Sequence, residues 1–138
     1  LVVPGVNDTD AELQDIARFL ARASRDVPWH VTAFHKDYKM TDPDDTPAKT
    51  LLRAARIGKA EGLRYVYAGN LPGLLGGWED TACPSCGETL VERLGFQVLS
   101  NRLKDGRCPA CAAPAAGRWD EGCWSTAPRP APPGTPRA

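Results

Sequence analysis

Apolar residues change period along the first half of the chain, and each change marks an element. Leu1-Val2-Val3 is a short apolar strand that Pro4-Gly5 ends. Thr9 then stands three residues before Glu12, the spacing of a capping box, and predicts a helix start. Leu13, Ile16, Ala17 and Leu20 follow at i, i+3, i+4 and i+7, one apolar stripe with Asp15, Arg18 and Arg22 turned away from it. Beyond Pro28, the segment Trp29–Phe34 is aromatic and β-branched, which predicts a second strand. His35 to Met40 reads as a polar loop. Thr46 at N-cap and Pro47 at N1 predict a second helix, running through Leu51, Leu52 and Ala55 to Gly62 at C′. Arg64–Ala68 gives a third strand, closed by Gly69-Asn70.

Strand, helix, strand, helix, strand at roughly 30-residue intervals is the βαβ pattern and implies parallel strands. The fold class is therefore α/β, with residues 1–70 as part of a (β/α) barrel or an open α/β sheet. Three strands leave edges uncovered, so neighbours are expected from elsewhere. Leu1 opens inside an apolar run and the single methionine is Met40, which makes this reading a C-terminal fragment. Residues 71–78, rich in Gly and Pro, mark a linker into a small unit over 79–120. The proline-rich stretch 121–138 is expected to stay disordered.

That small unit carries the strongest chemical signal. Cys83-Pro-Ser-Cys86-Gly87 and Cys108-Pro-Ala-Cys111 are two C-x2-C pairs with 21 residues between Cys86 and Cys108. Two residues between cysteines let one tight turn present both sulfurs to one ion, and two facing turns complete a tetrahedral set. Glu88–Glu92 and Phe96–Asn101 are expected to pair around Gly95, with a turn at Lys104-Asp105-Gly106 leading to the second knuckle. So small a unit needs a staple, and a structural zinc contributes about 10–16 kcal/mol in small fingers. Cys83, Cys86, Cys108 and Cys111 are thus metal ligands in this reading, zinc first, with iron and redox thiols as the alternatives. Ala112 follows the second pair where Gly87 follows the first, at a position that favours positive φ. Cys123 is read as a spare surface thiol.

Charge then narrows the partners. Seventeen basic and seventeen acidic residues leave no net charge, so composition gives no drive toward nucleic acid. No apolar run reaches the ~18–20 residues of a membrane helix, and no secretory leader opens the chain, which makes the cytoplasm the default. Five cysteines, four of them closely paired, argue against a secreted disulfide framework.

His35 follows the apolar strand and falls at the carboxyl mouth of the sheet, where α/β folds bind ligands. His30, inside the strand, is read as packing. Asn7, Asp8 and Asn70 are read as local caps. No phosphate loop, zinc-protease helix or nucleophile elbow is present.

Several runs in order resemble one family. Leu1-Val-Val-Pro-Gly-Val-Asn-Asp8, Pro28-Trp-His-Val-Thr-Ala-Phe-His-Lys-Asp-Tyr-Lys-Met40, Arg64-Tyr-Val-Tyr-Ala-Gly-Asn70 and the paired Cys-Pro-x-Cys knuckles are similar to the C-terminal half of AmmeMemoRadiSam-system radical SAM enzymes, relatives of pyruvate formate-lyase activating enzymes. The resemblance covers residues 1 to about 119. It implies a partial (β/α) barrel that binds a [4Fe-4S] cluster and S-adenosylmethionine at the carboxyl ends of its strands and generates a 5′-deoxyadenosyl radical. It also implies that His35, in Ala-Phe-His, is the S-adenosylmethionine-contacting histidine of the family's Pro-Tyr-His pattern. The family's C-x3-C-x2-C cluster motif is absent here, so the chain alone is expected to be inactive and to need the N-terminal half of the barrel. A protein substrate or partner is the further expectation, with a glycyl-radical-activating role by analogy. The rival readings are a non-catalytic zinc-ribbon interaction module on an α/β scaffold and an iron-based electron-transfer site.

Overall fold

The computed structural model describes residues 1–119; the expected disordered tail and Cys123 lie outside the described residues. Helix α1 spans Asp10–Ala23 and opens with the capping box. The Thr9 hydroxyl accepts from the Glu12 amide at 3.3 Å while the Glu12 carboxylate accepts from the Thr9 amide. Strand β1 (Trp29–Thr32) and strand β2 (Val66–Gly69) pair in parallel, Trp29 opposite Val66 and Thr32 opposite Gly69. Between them runs helix α2, Ala48–Ala60.

The expected first strand shrinks to one parallel bridge between Val2 and Ala33, because Gly5 turns the chain away at φ +72°. The Val2 amide donates to Thr32 O at 2.9 Å, which sets the order Val2 segment, β1, β2. These three parallel segments are a part of a sheet and do not close a barrel among the described residues.

Thr46 does not cap α2; Pro47 holds the N-cap position. The buried Thr46 hydroxyl instead donates to Val2 O at 2.6 Å and accepts from the Phe34 amide at 3.0 Å. Its own amide donates to Phe34 O at 2.9 Å. A side chain expected to serve its own helix therefore joins two strand segments.

Both helices cover one face of the sheet. Val31, Ala33, Val66 and Ala68 point into a core with Leu13, Ala17, Leu51, Ala54 and Ala55. Closeness is set at Gly58, where a Cβ would stand 2.7 Å from the Trp29 ring. The α1 stripe is narrower than its sequence suggests: Leu13 and Ala17 are buried, while Ile16 stays exposed.

The segment read as a linker is packed. Its glycines alternate with large apolar side chains, so Leu75 is fully buried in the sheet-and-helix core and Leu71 and Trp78 lie against it, with a 3-10 turn over Gly76–Glu79. Strands β3 (Thr81–Ala82), β4 (Thr89–Leu94) and β5 (Gln97–Asn101) then form an antiparallel sheet in that order. Gly95, at φ +57°, makes the expected β4–β5 turn. Among the described residues, this unit's core holds Cys83, Leu90, Val91, Cys108 and Ala115 as its buried members. A core that small agrees with a unit that relies on a metal. The unit is tied to β2 and to the residue just before it: the Tyr67 hydroxyl meets Thr81 Oγ1 at 3.1 Å, and the Tyr65 hydroxyl accepts from the Ala116 amide at 2.9 Å.

Candidate metal centre

Each knuckle is a tight turn built by its own backbone. The Gly87 amide donates to Cys83 O at 2.9 Å and the Ala112 amide to Cys108 O at 2.9 Å. One residue further along each turn's return, the Cys83 amide donates to Glu88 O at 2.8 Å and the Cys108 amide to Ala113 O at 2.9 Å. The two knuckles thus repeat one hydrogen-bond pattern at matching positions. Both closing residues have positive φ, +79° at Gly87 and +59° at Ala112, so Ala112 adopts the conformation expected of a glycine there.

The repeat brings the sulfurs of Cys83, Cys86, Cys108 and Cys111 within 4.8 Å of one another. Cys83 Sγ and Cys111 Sγ are 3.6 Å apart, and Cys86 Sγ and Cys108 Sγ 3.7 Å. A tetrahedral ion with sulfur at about 2.3 Å requires sulfur–sulfur edges of about 3.8 Å. The four sulfurs therefore fit one mononuclear metal ion. A four-iron cube would have to stand between its ligands, and these sulfurs leave no room for one. The first cysteine of each pair is buried and the second exposed, so the site lies at the surface with its back to the small core.

The thiols are electrostatically unequal. Burial pushes the Cys83 thiol up, but amides of Cys86 and Ser85 and the thiols of Cys111 and Cys86 more than offset it and bring it to about 7. At Cys86 the Glu88 amide favours the thiolate, yet the neighbouring Cys111, Cys83 and Cys108 thiols, with burial, drive it up to about 12. Cys111 is likewise raised: the Ala113 amide and Cys86 act downward and are outweighed by burial, Cys83 and Cys108. One thiolate is readily made, and Cys86 and Cys111 resist ionisation in its presence. A bound cation reverses that, since it favours thiolates throughout and expels their protons.

The structure keeps His35 apart from this cluster. It is exposed beyond the carboxyl end of β1, with Nδ1 3.4 Å from Lys36 O. Its loop is held by the Lys36 amide donating to Asp45 at 2.6 Å and by the Lys36–Asp44 ion pair at 2.6 Å. His30 stacks on Tyr67, centroids 4.7 Å apart and planes 19° from parallel, on the sheet face opposite the helices. Burial, and then the Arg93 charge, lower its pKa below 6.5. Asn7 and Asp8 cap the Pro4-Gly5 turn, accepting from the Val3 and Gly5 amides, and Asn70 donates to Ala33 O.

Sequence reasoning missed Tyr67, Arg93 and Glu79. Arg93 Nη1 donates to Thr81 Oγ1 at 2.7 Å and its guanidinium lies 6.0 Å over the Tyr67 ring. Alternation in β2 placed Tyr67 opposite the helix face, but nothing local showed that β4 would supply Arg93 to it.

Among the described residues no helix is long and apolar enough to cross a membrane. No family model matches the chain. No solved structure matches it either. It is similar to the "Uncharacterized protein MJ0808" of Methanocaldococcus jannaschii, 41% identical over 114 residues, covering 80% of this chain and 34% of that protein. The chain spans about a third of the length of the curated relative it matches.

Proposed function

We propose that this chain is the C-terminal part of a radical SAM enzyme of the AmmeMemoRadiSam type, contributing the last strands of a partial (β/α) barrel and a zinc-binding ribbon. The observation that carries the reading is the pairing of a parallel βα sheet, with His35 beyond the carboxyl end of β1, with the four-sulfur cluster. A relative of which the match covers only 34% supports a larger parent. The open edge at Val2, bridged to Ala33, is where further strands of such a parent would add.

Zinc is the ion this donor set suits best, because four thiolates complete a tetrahedron. Cys83, Cys86, Cys108 and Cys111 would hold it, and a saturated zinc supplies structure without an open coordination position. The chain's own part is to preform the two turns and orient the sulfurs through the Gly87 and Ala112 amides. The described cysteines do not fit the radical-generating [4Fe-4S] cluster, for their spacing is wrong and their sulfurs are too close together. This chain therefore takes no step of that reaction by itself; His35 would contact S-adenosylmethionine only in the complete protein.

The test joins metal analysis of this chain to an assay of a full-length parent. Expected are one zinc per chain, no visible absorption, and S-adenosylmethionine cleavage to 5′-deoxyadenosine by the anaerobically reconstituted parent, weakened by the substitution at its residue matching His35. Absence of cleavage in a parent carrying a loaded cluster would reject the enzyme reading. Iron with visible absorption would reject zinc.

One observation favours a second reading, a non-catalytic zinc-ribbon interaction module. Phe96 at the β4–β5 turn is fully exposed, flanked by exposed Leu94 and Leu99. Exposed apolar groups so close together mark contact surfaces more often than isolated ones do.

A further inference from the structure

The face of the β1–β2 sheet that the helices leave bare is roofed by the ribbon, and a cavity of about 790 Å³ lies between them. That volume falls within the ~300–1,000 Å³ of small-molecule sites. Rings make up much of its wall: His30 and Tyr67 stack on each other there, and Tyr65, Phe96 and Trp119 also line it. The polar ends of three of these rings are already engaged. The Tyr67 hydroxyl meets Thr81, the Tyr65 hydroxyl accepts from the Ala116 amide, and the Trp119 indole N–H donates to Ala115 O. What they offer a ligand is therefore ring surface.

Charge around the cavity is balanced. Among the described residues its charged lining is Asp26 and Glu79 against Arg93 and Arg118. Asp26 is paired with Arg64 at 3.1 Å, and Arg118 has a partner, which leaves the Glu79 charge to be set against that of Arg93. Arg93 is fixed close to Glu79 in the chain, its main-chain amide donating to Asp80 Oδ1 at 2.8 Å and its Nη1 to Thr81 Oγ1 at 2.7 Å. A cation entering the cavity would meet the Arg93 guanidinium, and an anion the nearly buried Glu79 carboxylate. Either ion would lose its water beside a like charge. An uncharged molecule escapes both penalties and can still use the spare N–H donors of a guanidinium and the oxygens of a carboxylate.

We propose that this cavity binds an uncharged planar aromatic carboxamide, with its ring against the His30–Tyr67 stack and its amide between the Arg93 donors and the Glu79 acceptor. The carboxamide carries one strong acceptor and two donors on one rigid edge, which matches that pair of groups. The inference does not depend on the radical chemistry; it needs only a ribbon folded over the sheet.

The test uses the zinc-loaded chain and three probes of one size and shape: neutral benzamide, anionic benzoate and cationic benzamidine. Binding is followed through the Trp119 indole N–H resonance, whose hydrogen bond to Ala115 O is 2.9 Å long. Benzamide is expected to shift that resonance saturably, and each ion to bind about tenfold more weakly or worse, because its charge must be desolvated beside a like one. Glu79→Gln removes the negative charge and should raise the affinity for benzoate about tenfold. Phe96→Ala, at an exposed position that does not threaten folding, should weaken benzamide severalfold. No saturable shift with benzamide, either ion bound as tightly as benzamide, or unchanged benzoate affinity in a folded Glu79→Gln variant overturns the proposal.

Discussion

Ala112 repeats, on the second knuckle, the position of Gly87 on the first: each donates its amide at 2.9 Å to the carbonyl of the leading cysteine, and each has positive φ. Only the glycine does so without a Cβ penalty, which is about 1–2 kcal/mol for an L-residue in the left-handed region. Part of that returns when alanine restricts the unfolded chain. Ala112→Gly should therefore stabilise the metal-loaded ribbon by up to about 1 kcal/mol, and Gly87→Ala should destabilise it by a similar amount. Denaturant titration of both variants checks the sign; a loss of stability in Ala112→Gly would contradict it.

Chelation should unfold the ribbon and spare the sheet-and-helix unit. Among the described residues, the ribbon buries five in its own core, whereas twelve form the other. Metal ligands must be deprotonated, so the midpoint of metal loss should move to lower chelator concentration as pH falls. Far-ultraviolet circular dichroism would keep its helical signal while Trp119 fluorescence changes. Loss of both signals together would mean that the two units unfold as one.

Thr46→Val removes a hydroxyl that serves both the Val2 carbonyl and the Phe34 amide in a buried position. Leaving a buried polar group unsatisfied costs about 1–3 kcal/mol. The expected loss is about 2–4 kcal/mol, with faster exchange at the Phe34 amide as the local signature. Thr46→Ser keeps the hydroxyl and should restore most of the difference.

His30 provides the pH dependence. Burial first, and then Arg93, lower its folded-state value below the 6.5 of an exposed imidazole. A depressed value means that the folded state prefers neutral imidazole. Its contribution to stability is present above about 6.5 and is lost as pH falls through the folded value. Histidine resonances should titrate at His30 with a midpoint below 6.5, and stability should fall on that acidic side. A midpoint above 6.5 would show that the ring is held as a cation.

What the sequence made legible was short-range. The Thr9–Glu12 box lies within one turn, and each C-x2-C turn closes over five residues, so their geometry follows from local spacing. Thr46 was misread because its partners, Val2 and Phe34, are brought to it by the sheet, 44 and 12 residues away. The segment 71–78 was misread because its glycines hid the apolar spacing that buries Leu75. Glu79 and Arg93 gave no signal at all, since the surface they share exists only once the ribbon folds back over β2.

The hydroxyl contacts of Tyr65, just before β2, and of Tyr67, within it, have a topological consequence. Tyr67 meets the ribbon where it leaves the sheet, at Thr81, and Tyr65 meets it where it returns, near Ala116. Tyr65 and Tyr67 point to the same side and stand only about 7 Å apart along the strand. Residues 81–116 are thus a closed excursion that starts and finishes at neighbouring points of one strand, like a bracket hung from two adjacent pegs. Such an excursion is exchangeable: a different domain with ends equally close could replace it, leaving the register of β1 and β2 as it is.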